Sequence, residues 1–128
     1  MAGLDDVRRL ALSLPEVTEG TSWGNASWKV AGKTFVWERP LRKSDLAQLG
    51  ADAPTGPLAG LRIAAVEARE PLLAEYPALF TIPHFANYAA VLVRLDDIDV
   101  PDLDDLITEA WFVQAPKRVA DAYTEQLG

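Results

Sequence analysis

Ser27-Trp28-Lys29-Val30-Ala31-Gly32-Lys33-Thr34-Phe35-Val36-Trp37 holds two runs of β-branched and aromatic residues joined by Ala31-Gly32. Two short runs of this texture separated by two residues, one of them glycine, predict a β-hairpin. Successive side chains on a strand alternate sides, so Lys29 is expected opposite Trp28 and Val30. On the same rule Phe35 and Trp37 are expected to share a side opposite Thr34, Val36 and Glu38. Upstream, Leu4, Val7, Ala11 and Leu14 recur at helical spacing until Pro15 stops them. Downstream, residues 50–60 (GADAPTGPLAG) read as a surface loop and 61–66 as a strand. Residues 68–76 read as a short helix closed by Pro77, and 88–95 (YAAVLVRL) as a strand covered on both sides. Leu103, Leu106, Ile107, Ala110 and Trp111 form a helical stripe entered through Pro101 and ended before Pro116. Val119, Ala122, Tyr123 and Leu127 form another. Helices at both ends enclosing hairpin-type strands predict an α+β fold, a single domain over residues 1–128 with an antiparallel sheet backed by helices.

Composition narrows the function classes. A chain of 128 residues with 49% hydrophobic content suits one core. It has no apolar run of about 18 residues and no basic-then-apolar start, so a cytoplasmic protein with no membrane partner is expected. Zero cysteines remove disulfides, thiolate metal sites and a cysteine nucleophile. The formal net charge of -7 comes from residues 96–109, which hold Asp96, Asp97, Asp99, Asp102, Asp104, Asp105 and Glu109 and no basic residue. The remainder carries 12 basic and 12 acidic side chains, which leaves one side of the fold free to be positive.

Several segments imitate chemical motifs. Ser27 to Thr34 echoes a phosphate-binding loop, but Ser27 stands where the first glycine belongs and a strand follows instead of a helix. The aspartates from Asp97 fail a calcium-loop pattern at Pro101 and Asp102. They suit a helix N-terminus, where each carboxylate contributes about 0.3–1 kcal/mol. His84, the single histidine, sits between Pro83 and Phe85 and reads as a turn residue hydrogen-bonded to nearby backbone. No nucleophile, base and orienting group assemble, so no enzyme and no cofactor are expected.

Leu14-Pro15-Glu16-Val17-Thr18-Glu19-Gly20 with Ser22-Trp23-Gly24, then Lys29 to Phe35, Pro83-His84-Phe85, Val91 to Leu95, Glu109-Ala110-Trp111 and Ala115-Pro116-Lys117-Arg118 resemble the MmcQ/YjbR family in order and spacing. The resemblance implies a small bacterial α+β protein of the frataxin-like (CyaY-like) type, commonly labelled DNA-binding, with no agreed enzymatic activity. One departure lies in the strand after the loop, where the family often carries lysine and this chain has Arg62.

The leading expectation is a non-enzymatic protein that contacts DNA backbone phosphates through Lys29, Lys33, Arg39, Arg42, Lys43, Lys117 and Arg118, with low sequence specificity. The alternative is a protein-interaction or small-ligand module in which residues 96–109 meet a basic partner and exposed tryptophans supply anchors. Tryptophans lining a concave pocket would favour a small ligand. A third reading is carboxylate-bound iron or another divalent ion.

Overall fold

Trp28, in the centre of the hairpin, is 2% exposed and marks the side of the sheet that carries the larger core. The computed structural model describes residues 2–127. Strands β1 (Val17–Ser22), β2 (Asn25–Val30) and β3 (Lys33–Glu38) form two successive hairpins. They are followed by β4 (Leu58–Arg62), β5 (Leu79–Phe80) and β6 (Ala90–Arg94), and all six make one antiparallel sheet of order β1-β2-β3-β4-β6-β5. Both hairpin turns have two residues at positive φ, Trp23-Gly24 at 55° and 80° and Ala31-Gly32 at 48° and 83°. That pair of angles is the type I′ turn, whose twist matches that of the flanking strands.

Helices α1 (Leu4–Leu12), α4 (Val100–Gln114) and α5 (Lys117–Leu127) cover the Trp28 side. The stripe Leu103, Leu106, Ile107, Ala110 and Trp111 on α4 is buried there as its spacing predicts, and each buried Leu or Ile contributes about 1.5–3 kcal/mol. Trp111 Nε1 donates to the Pro15 carbonyl at 3.0 Å, and its ring meets Tyr123 of α5 at 5.1 Å. Glu19 of β1 accepts from Arg8 of α1 at 2.7 Å and from Trp28 Nε1 at 3.0 Å. The Arg8 and Trp28 hydrogen bonds hold its carboxyl below the usual range. The aspartates at the start of α4 stand where a helix N-terminus favours them, with Asp99 as the N-cap and Asp102 in the first turn.

The opposite side is covered only in part. The short helix α2 (Lys43–Leu49) and a 3-10 turn at Pro83–Phe85 lie there, while the short helix α3 (Arg69–Glu75) sets Leu72 and Leu73 against the Trp28-side core. Ala90 and Leu92 of β6 join Ile82, Phe85 and Trp37 in a second cluster on that side, while Val91 and Val93 point into the first. β6 is thus covered on both sides, as its apolar run predicts.

Two sequence expectations need correction, and two elements carry no pattern that the sequence displays. The strand after the loop is Leu58–Arg62, not 61–66, because its pairing with β6 starts at Leu58↔Arg94. β1 went unread: its side chains are exposed on both sides apart from half-buried Val17, so no apolar alternation marks it. α2 is too short at seven residues to show a periodicity. Phe35 and Trp37 do not share a side. The β2–β3 register slips at Trp28/Lys29, so Phe35 and Val36 both enter the Trp28 core and Trp37 points to the other side.

Candidate functional site

The row of paired residues Gly20, Ser27, Trp37, Gly60 and Leu92 runs across the sheet from β1 to β6. From Ser27 onward small and large residues alternate along it. A Cβ on Gly60 would collide with the Trp37 indole, 2.5 Å from Cζ2 and 2.8 Å from Nε1, so the ring lies directly against the β4 backbone. Only glycine permits that approach.

Around Trp37 stand Phe85 and Tyr88, with ring centroids 6.4 Å from the indole and 5.7 Å from each other, all inclined at 55–65°. Two buried or half-buried arginines fix this group. Arg69 of α3 donates to the carbonyls of Phe85 at 2.6 Å and Ala90 at 3.3 Å, and also to that of Tyr88, which ties down the segment bearing both rings. Arg62 donates to the Ala89 carbonyl at 3.0 Å and lies over the Tyr88 ring at 4.7 Å. Arg62 therefore braces an aromatic wall.

Between this wall and the β1–β2 turn lies a cavity of about 490 Å³, within the range of small-molecule sites. Trp23 stands at its rim, 91% exposed, with Asn25, Glu38, Arg42 and His84 also lining it. Ser27 is at its floor, 0% exposed, and its hydroxyl has no hydrogen-bond partner. Among the described residues only the Thr81 hydroxyl shares that condition. A buried unpaired hydroxyl costs the fold about 1–3 kcal/mol. His84 corrects an expectation as well: it lies in the 3-10 turn, exposed, and makes no hydrogen bond to nearby backbone.

The seven cations named from sequence differ in what they can offer a phosphate. Arg39 is 6% exposed and bonds Asp45 of α2 at 3.1 Å, so it is unavailable to phosphate. Burial pushes the Asp45 carboxyl up, but the Arg42 backbone N–H and the Arg39 guanidinium outweigh it and hold it below the usual range. Lys117 pairs with Asp121, and Arg118 reaches Glu16 at 3.1 Å. Lys29 and Lys33 lie near the Ala31-Gly32 turn, whereas Arg42 and Lys43 lie beyond the far end of β3. That strand separates the two pairs by about 17–20 Å. Of the tryptophans only Trp23 is strongly exposed; Trp28 and Trp111 are core residues. Among the described residues no three carboxylates or histidines lie close enough to hold a metal ion. No helix among them is long and apolar enough to cross a membrane.

The structure defines a single-domain antiparallel α+β protein with an aromatic-walled cavity on the less covered side of its sheet. The YjbR family profile matches residues 12–113, and the chain belongs to the YjbR family. It is 44% identical to the uncharacterized proteins Rv2570 and MT2646 of Mycobacterium tuberculosis and Mb2600 of Mycobacterium bovis, over the full length of each chain. No solved structure matches it.

Proposed function

We propose that this chain is a binding module for a small organic molecule held in the cavity between Trp23, Trp37 and Tyr88, acting by binding alone. The observation that carries this reading is the unpaired Ser27 hydroxyl at the cavity floor. A ligand group that reaches it as the side chains above it shift, donating to it or accepting from it, would relieve its desolvation cost, so binding would gain where folding lost. The fixed rings support the same reading, because walls locked by Arg62 and Arg69 lose little freedom when a ligand arrives.

The nucleic-acid reading retains Lys29, Lys33, Arg42 and Lys43 and is the weaker of the two. Its cations stand in two groups, and three of the original seven are bound to carboxylates of the chain itself.

A fragment screen followed by 1H-15N correlation spectra tests the proposal. Hits are expected to shift the amides of residues 22–27, 37–42 and 84–88 and to weaken about tenfold in Ser27→Ala. Hits confined to other surfaces, or a Ser27→Ala protein that binds as well as the parent, would remove it.

A further inference from the structure

We infer that the ligand of this cavity is a planar heteroaromatic molecule bearing one anionic substituent, a carboxylate or a phosphate. The inference rests on the cavity being a ligand site and adds the chemistry of its occupant.

Shape comes first. Trp37, Phe85 and Tyr88 present ring faces and edges to one space, and Trp23 closes its rim. Trp23 is costly on two grounds. It occupies the left-handed region at φ 55°, where turns of this type favour Asn, Asp or Gly, and it exposes 91% of its surface while packing on nothing. A flat ring laid between Trp23 and the Trp37–Tyr88 wall would recover stacking on both faces. Aliphatic ligands would leave those ring faces poorly matched.

Charge comes second. Glu38, Arg39 and Arg42 line the cavity, together with His84. Arg39 is engaged by Asp45 at 3.1 Å and by the Pro40 carbonyl. Glu38 accepts from the Ala26 backbone N–H at 3.4 Å through one oxygen, which leaves the other for a ring N–H. The Arg42 guanidinium makes no hydrogen bond or ion pair among the described residues. It lines both the main cavity and the adjoining hollow of about 390 Å³ between Trp23, Pro40 and Leu41. The cavity thus offers one carboxylate without an ion pair, Glu38, to a ring N–H, and one guanidinium without a hydrogen bond, Arg42, on the side chain best suited to hold a carboxylate or phosphate by two parallel hydrogen bonds. Ser27 below, Glu38 beside and Arg42 at the mouth set three polar contacts around an aromatic slot. A heteroaromatic ring with polar edges and one anionic arm satisfies all three, whereas a plain hydrocarbon satisfies none.

Matched pairs of probes test this by calorimetry: guanosine 5′-monophosphate against guanosine, and indole-3-acetate against indole-3-acetamide. The charged member of at least one pair is expected to bind tenfold or more tighter than its neutral counterpart, and whichever pair responds identifies phosphate or carboxylate as the arm. Arg42→Gln, an exposed position, should erase that difference and leave the neutral member within about twofold, while Trp37→Leu weakens both. Equal affinity for charged and neutral members, with fragments still shifting the cavity amides, would overturn the anionic assignment and leave the cavity reading standing. Loss of all cavity shifts would overturn both. Inorganic phosphate binding as tightly as the nucleotide would overturn the stacking, and a thymidine decamer binding tenfold tighter than the mononucleotide would replace the slot with a single strand.

Discussion

Ser27 is a residue whose removal should strengthen the fold. Its hydroxyl is buried and unpaired, so Ser27→Ala takes away one oxygen without opening a sizeable void. The expected gain is about 1 kcal/mol, read as a melting point about 3–5 °C higher by calorimetry; a lower melting point would mean that the hydroxyl is satisfied within the fold. This residue was not legible in the sequence. Ser27 there is one polar position in a hairpin, and its burial comes from neighbours on β1 and β3. Arg39 misled for a related reason. In the chain it stands beside Arg42 and Lys43, and only the turn into α2 brings Asp45 onto its guanidinium.

At the scale of elements, the hairpin of β2 and β3, the α4 stripe and the doubly covered β6 were readable because each has a period and a length that one environment explains. The elements that escaped are those without such a period: β1 with its exposed sides, two-residue β5 and seven-residue α2. The bulge at Phe35 escaped because alternation counts residues and cannot see one that is unpaired. Three predictions belong here. Gly60→Ala forces a methyl group into the Trp37 ring and should destabilise by about 1–3 kcal/mol, with a changed near-ultraviolet circular dichroism from the displaced indole. The ion pair joining the end of β3 to α2 sets a pH dependence. Because the folded Asp45 carboxyl lies below its ordinary value, its stabilisation is complete above about pH 4 and is lost as pH falls through the folded value. Urea midpoints should therefore drop more steeply below pH 4 in the parent than in Asp45→Asn. At pH 7 Asp45→Ala should cost about 3–5 kcal/mol, since it strands a buried guanidinium.

Across the whole molecule, charges of both signs interleave. Arg8 meets Glu19, Arg9 meets Asp6, Arg118 meets Glu16 and Lys117 meets Asp121, so that with Arg39 and Asp45 five of the 12 cations are held by carboxylates of the chain itself. Sequence showed the lopsided count but could not show these pairings, which join residues up to 102 positions apart. Duplex DNA would therefore find at most four unpaired cations among the seven named. The logarithm of affinity against log salt should be no steeper than about -3.6 in fluorescence anisotropy with a 20-base-pair probe; a slope of -4.5 or steeper would mean that the internal pairs open to bind it.

The strand that ends just before Trp23 is also one of the sheet's two edges, hydrogen-bonded to β2 alone and exposed along nearly its whole length. Amide protons there should trade with deuterated solvent fastest of any strand, and those of β6 slowest. An occupant touching both Trp23 and Tyr88 would bridge these extremes, so its arrival should register first as slowed isotope uptake in residues 17–22. The loosest margin of the sheet thereby becomes its most sensitive reporter.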